Sequence, residues 1–315
     1  MGTAQVRLEC GVIRMGIISM TLGRLSPQFK TVAEFEQLYL EILANEPIKP
    51  ETRKGRMRMA HIFFSAFASR RFASVRPHEI ASLLRSIHST NQNKCRKLRI
   101  EANYIFNQAI IAGWADTNPV THVRNLPCRV ARSRMSLEQW RALHKYATKY
   151  GQPWEPALLE LAIVTAQRRA DLLTMRFDDV SDGWLYIRQQ KTGAMIALPT
   201  ALHLDAVGLS IADVIERCRD YAAPGDTLLR RRDGRPMAHN AVSGRFRRTW
   251  AAAMGKWDGD GTHPTLHEIR SLSERLYRAQ GIDTQTLLGH KRQSMTDAYN
   301  DDRGLSAGRW RRLVI

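Results

Sequence analysis

Apolar residues recur every three to four positions along most of the chain, and only one short stretch alternates as a strand does. Val32, Phe35, Leu38, Tyr39 and Ile42 share a helix face, and Thr31 with Glu34 forms a capping box at its start. Three more helical patterns follow at about 52–69, about 77–89 and about 92–113, with Phe63, Phe67, Ile80, Leu83, Leu84 and Ile87 turned inward. Gly113 and Asn118-Pro119 stop the last of them. These patterns predict an all-helical domain over residues 27–123, preceded at 1–26 by a leader or truncated module with little pattern.

Residues 124–135 hold Pro127, Arg129, Arg132 and Arg134 with no hydrophobic period, which predicts a basic linker. A second domain, 136–315, opens with the capping box Ser136/Gln139 and a helix to about Tyr150. An apolar helix from about Trp154 to Ala166 and a short one from Arg168 to Met175 come next. Trp184-Leu185-Tyr186-Ile187 and Met195-Ile196-Ala197-Leu198 read as the strands of a β-hairpin with Lys191 near its tip. Helical patterns resume at about 202–220, about 239–254, about 266–280 and, as two short helices, about 284–300. The fold class expected is therefore mainly α, with one small hairpin in the second domain.

Charge changes this picture from architecture to partner. The 315 residues carry 48 Lys+Arg against 30 Asp+Glu, a formal net charge of +18, and each phosphate that a cation neutralises releases counterions. Double-stranded DNA fits that excess better than a membrane surface does. Lys94, Arg96, Lys97 and Arg99 cluster near the start of the 92–113 helix and, with Arg132 and Arg134, are the expected DNA-binding cations. Cys10, Cys95, Cys128 and Cys218 lack metal or disulfide spacing and are expected as reduced, buried thiols. The apolar stretch Gly11 to Gly23 is broken by Arg14 and too short to span a bilayer, so a cytoplasmic, nucleoid-associated location is expected.

The residues that carry chemistry lie in the second domain. Leu266-His267-Glu268-Ile269-Arg270 begins an amphipathic helix and sets His267 and Arg270 side by side at i, i+3. Leu287-Leu288-Gly289-His290 follows, then Tyr299 nine positions on; upstream, Arg168 and Asp171 stand at i, i+3 beside an apolar run. A structural ion pair, a solvated hairpin lysine and a packing tyrosine are the ordinary roles of such residues taken singly.

The ordered set Arg168, Lys191, H-x-x-R, Leu-Leu-Gly-His and Tyr299 resembles the tyrosine recombinases of the phage integrase family, in most detail the lambda-type integrases. The resemblance spans roughly residues 30–305, including the Asn118-Pro119-Val120 ending and the Lys191-Thr192-Gly193 hairpin. It implies a core-binding domain followed by a catalytic domain. It also implies Tyr299 as nucleophile, Arg168 and Arg270 as a phosphate clamp, and Lys191, His267 and His290 as the other catalytic groups, with Asp171 supporting the first arginine. Two guanidiniums can hold nonbridging oxygens by forked hydrogen bonds, so the expected chemistry needs neither metal nor ATP.

The expected function is DNA cleavage and rejoining through a 3′-phosphotyrosine, integrating or excising a mobile element at core or attachment sites as a homotetramer on DNA. A host DNA-bending factor and an excision factor are further candidate partners. Where the family commonly has glycine after Thr165, this chain has Ala166, and residues 1–26 are too few for an intact arm-site domain. Leu313-Val314-Ile315 is a candidate segment for packing on a neighbouring protomer or on its own domain. Two alternatives compete: a non-catalytic DNA-binding protein, and a metal-dependent nuclease using His263, His267 and His290, against which Pro264 breaks the helix between the first two.

Overall fold

A computed structural model describes residues 31–128, 133–255, 257 and 262–300. The leader, Cys10, Arg129, Arg132 and the C-terminal tail named above lie outside them. The chain divides after Val130 into two compact units.

The first unit is four helices, α1 (Val32–Asn45), α2 (Pro50–Phe67), α3 (Pro77–His88) and α4 (Gln92–Ile111). Thr31 and Glu34 make the expected capping box on α1, and proline occupies the first turn of α2 and α3, where no backbone donor is missed. At the end of α4, Gly113 at φ +71° lets the Trp114 and Gly113 amides return to the Ala109 and Ile110 carbonyls, a Schellman closure. Between the helices Phe35, Phe63, Phe72 and Phe106 meet largely edge to face, the arrangement that aromatic quadrupoles favour. Lys94, Arg96 and Lys97 are exposed on α4. Arg99 is not wholly turned outward as expected, because its guanidinium donates to the Val123 and Val120 carbonyls that follow the helix.

The second unit is built around α6 (Trp154–Thr165), ten of whose 12 residues are buried, as befits a helix apolar on every side. Around it stand α5 (Leu137–Tyr150), α8 (Ile211–Asp220) and α10 (His267–Ala279), with α9 (His239–Met254) packed on α5. The strands β2 (Trp184–Arg188) and β3 (Met195–Pro199) form the hairpin in the register Trp184 opposite Pro199, Arg188 opposite Met195. A third strand, β1 (Val180–Ser181), extends it. The single helix expected over 202–220 is instead a two-residue hairpin, β4 (His203–Leu204) and β5 (Leu209–Ser210), followed by α8. Gly208 at φ +65° makes the turn, and Ser210 caps the helix that starts after it. Three short helices complete the unit: α7 (Arg169–Leu172), α11 (Thr284–Leu288) and α12 (Gln293–Asp297).

Pro127 accepts from His88 in the first unit, while Ser133 donates to Thr262 and Met135 is fully buried in the second. Cys95 and Cys218 are buried thiols, Cys128 only half-buried. No helix of the described residues is long and apolar enough to cross a membrane.

Candidate active site

The last carbonyls of a helix have no partner within it, and α6 ends inside the protein. Side chains satisfy them in turn: Ser273 donates to the Ile163 carbonyl, Tyr277 to Val164 at 2.8 Å, and the Gln167 amide to Thr165 at 2.8 Å. Ala166 then adopts a left-handed conformation, φ +54°, at a cost of roughly 1–2 kcal/mol for a residue with a Cβ. That turn aims the Ala166 carbonyl at Arg270, whose Nη1 donates to it at 2.5 Å. A cation at a helix C-terminus also faces the negative end of the helix dipole. The polar side chains of α10 thus fix Arg270 in register with α6.

Arg270 is 1% exposed. Its Nη2 donates to the Leu288 carbonyl at 2.7 Å and lies 3.3 Å from His290 Nε2. A guanidinium only donates, so this contact makes Nε2 an acceptor and leaves the proton on Nδ1, which donates to Thr296 at 2.9 Å. Burial, then Arg270 and Arg168 nearby, push the His290 pKa down to about 4. His290 is therefore a neutral ring that orients Arg270. Burial beside Arg168 lowers the Arg270 pKa to about 10, still cationic at neutral pH, and its Nε is a buried donor without a partner.

Tyr299 follows α12 and closes the site. Its hydroxyl is 3.4 Å from His267 Nε2, its ring is 5.4 Å from that of His290, and the Arg270 guanidinium carbon lies 5.6 Å from its centroid. His267 is the first residue of α10 and Arg270 the fourth, so one helical turn presents both.

Arg168 precedes α7 and is held from the other side, donating to Gln189 Oε1 at 2.6 Å. The Gln189 amide in turn donates to Gln167 and to the Leu288 carbonyl. Gly289 sits against this glutamine at φ +61°, where a Cβ would stand 3.0 Å from its Nε2. Asp171 Oδ1 accepts the Gln190 backbone amide at 2.8 Å, tying α7 to the β2–β3 loop beside Gln189, the partner of Arg168. Lys191 is exposed on that loop.

Arg168, Lys191, His267, His290 and Tyr299 line one cavity of about 610 Å³, with Arg270 beneath its floor. Residues from five separate stretches of the chain thus surround a single space, whose cations are Arg168, Arg169, Lys191 and Arg247. Among the described residues no group of three or more His, Cys, Asp or Glu side chains is arranged to hold a metal ion.

Residues 133–304 match the model of the phage integrase family. The integrase of Escherichia phage lambda is 35% identical over 269 residues, which cover 84% of this chain and 74% of that protein. The integrase of Enterobacteria phage P21 is 33% identical over 287 residues, 87% of this chain and 75% of that one. The chain belongs to the phage integrase family. It is a tyrosine recombinase, a site-specific integrase, and nothing in these matches favours the non-catalytic alternative.

The fold of this recombinase agrees with solved integrases. A lambda integrase dimer bound to a COC′ core site superposes with a TM-score of 0.84 at 32% identity, over 92% of this chain and 82% of that one. A lambda integrase tetramer bound to a Holliday junction gives 0.83 at 32% identity, over 90% and 80%.

Two features of the recombinase's site run against expectation or escaped it. Arg134, expected on a DNA-facing linker, is 5% exposed and donates inward to Glu268 at 2.9 Å. Gln189, which accepts from Arg168 and shares the Leu288 carbonyl with Arg270, was invisible because a neutral amide carries no charge or spacing signal. Its one clue is its position two residues before Lys191. Arg169 and Arg247 also line the cavity, and Arg169 donates to Ser243.

Proposed function

We propose that this recombinase cleaves duplex DNA at core-type attachment sites with Tyr299 as nucleophile. The contact between the Tyr299 hydroxyl and His267 Nε2, above Arg270, carries the reading. The phenolic oxygen attacks the scissile phosphorus while His267 takes its proton; hydrogen bonds of this kind are often long before substrate binds. The P–O5′ bond breaks, and the departing oxygen receives a proton from Lys191 on the β2–β3 loop. Arg168 and Arg270 hold the nonbridging oxygens as preorganised positive charge, Arg270 having a buried Nε donor without a partner that substrate binding could engage. One diester is exchanged for another, so the 5′ hydroxyl can attack the phosphotyrosine and reverse the step without ATP.

His290 serves by holding Arg270 while its Nε2 accepts; donating to a phosphate oxygen would need a proton on Nε2, by protonation or by a switch to the other neutral tautomer. The first unit is the core-binding domain and the second the catalytic domain. The lambda integrase tetramer on a Holliday junction supports a tetramer of this chain on DNA, working in the host cytoplasm at the nucleoid with a DNA-bending factor and an excision factor.

The test uses a nicked duplex carrying the core site, in chelator, with wild type and Tyr299→Phe. Wild type should form a covalent protein–DNA adduct. The variant should form none while keeping its affinity for the duplex. An adduct from the variant, or none from wild type with cognate DNA bound, overturns the assignment.

A further inference from the structure

Arg134 is a buried arginine that the mechanism above does not use, and its hydrogen bonds end beside three groups that it does. Nη1 donates to Glu268 Oε2 at 2.9 Å and to Ser271 Oγ at 2.6 Å, and Nη2 donates to the Ala298 carbonyl at 2.6 Å. Glu268 follows His267, Ser271 follows Arg270, and Ala298 precedes Tyr299. Arg134, Glu268 and Ser271 are 5%, 3% and 0% exposed.

We infer that Arg134 is a positioning residue for the nucleophile, holding the backbone before Tyr299 against the start of α10 so that the phenol stays at His267. The inference rests on Tyr299 being the nucleophile.

The local structure favours this role over simple filling of space. α10 is anchored to α6 through Ser273, Tyr277 and Arg270, so its first turn is a fixed platform. Tyr299 belongs to a short segment after α12, a five-residue helix with one buried residue, Thr296. Such a segment has little packing of its own to fix it. A planar guanidinium reaches both at once in a rigid fork, which a lysine cannot reproduce. The residues around Arg134 are themselves secured, Ser133 by the Thr262 carbonyl and Met135 by Arg275, which donates to its carbonyl at 2.7 Å. The arginine therefore acts from a stationary base.

Removing one member of a buried pair leaves an uncompensated charge, so Arg134→Met alone risks misfolding. The decisive variant is Arg134→Met with Glu268→Gln, which removes both charges together, compared with Glu268→Gln alone, Arg134→Lys and Tyr299→Phe. The measurements are single-turnover adduct formation on the nicked core duplex at saturating DNA, duplex affinity, and thermal melting.

Positioning predicts that the double variant melts near wild type and binds DNA equally well, yet forms adduct about 10- to 100-fold more slowly, the scale of a misplacement of about 1 Å. Arg134→Lys should also melt normally and be slow. Glu268→Gln alone strands the Arg134 charge but keeps its hydrogen bonds to Ser271 and the Ala298 carbonyl, so it should melt lower yet react within a few-fold of wild type while folded. A double variant that melts normally and reacts at the wild-type rate overturns the inference. So does one whose rate loss is matched by lost DNA affinity. Adduct that persists in Tyr299→Phe overturns the nucleophile assignment itself, a failure visible apart from the others.

Discussion

In the first unit the cations of α4 stand in solvent over an aromatic core, Lys94, Arg96 and Lys97 exposed while Phe63, Phe72 and Phe106 fill the space beneath. In the second, Arg134, Arg230 and Arg270 are almost wholly buried, Arg230 donating to the carbonyls of Cys218, Arg219, Ala222 and Ala223. The same residue class therefore does two kinds of work. An exposed cation is mobile and screened, and contributes attraction that falls with salt. A buried one is expensive to desolvate unless carbonyls or carboxylates surround it, and once surrounded it cannot reorient. Placement without reorientation is what stabilises charge that develops only in a transition state.

The sharpest test of this contrast replaces Arg270 by lysine. The charge stays, but the fork linking Ala166, Leu288 and His290 is lost. Adduct formation at saturating DNA should fall by about 10²–10³, and lowering the salt should not restore it. Recovery at low salt would mean that the buried arginine behaves as a surface charge.

Replacing Lys94, Arg96 and Lys97 together by alanine should do the reverse. Duplex affinity should drop, and the slope of log K against log salt should flatten by roughly 0.9 for each phosphate no longer neutralised. Adduct formation at saturating DNA should stay within a few-fold of wild type. Titrations at several salt concentrations, with single-turnover rates alongside, separate the two behaviours; an unchanged slope would remove α4 from the DNA interface.

The contrast also explains what could be seen in the chain beforehand. Elements set by local rules were legible: the capping boxes at Thr31 and Ser136 formed as their spacing implied, and His267 and Arg270 share a face because a helix repeats every 3.6 residues. The two alternating segments around 184–187 and 195–198 pair as the hairpin that alternation predicted. Segment 202–220 misled because its apolar residues fit a helix, while Gly208 and the cap at Ser210 divide it. Arg134 misled for another reason. A cation looks solvent-bound from sequence, and what buries it here is Glu268, 134 positions away. Gln189 and the inward face of His290 depend likewise on partners that only folding brings near.

The smallest expected effect is on stability against pH, and it tests whether the His290 ring is held neutral. The folded chain keeps its pKa at about 4, against an ordinary value of 6.5. Between these limits the unfolded chain binds the extra proton, so acid favours unfolding. The stability present above pH 6.5 should decline as the pH falls towards 4. Against His290→Gln, which has no proton to gain, wild type should lose melting temperature more steeply across that window, on the order of 2–4 °C for each kcal/mol of linkage. Carboxylates titrate in both proteins, so the difference between the two curves isolates the histidine. Parallel curves would mean that folding does not shift the ring's pKa, so that it takes up its proton below about pH 6.5 in the fold as well. Its Nε2 would then be a donor directed at phosphate, and Arg270 would rely on the Ala166 and Leu288 carbonyls alone for its orientation.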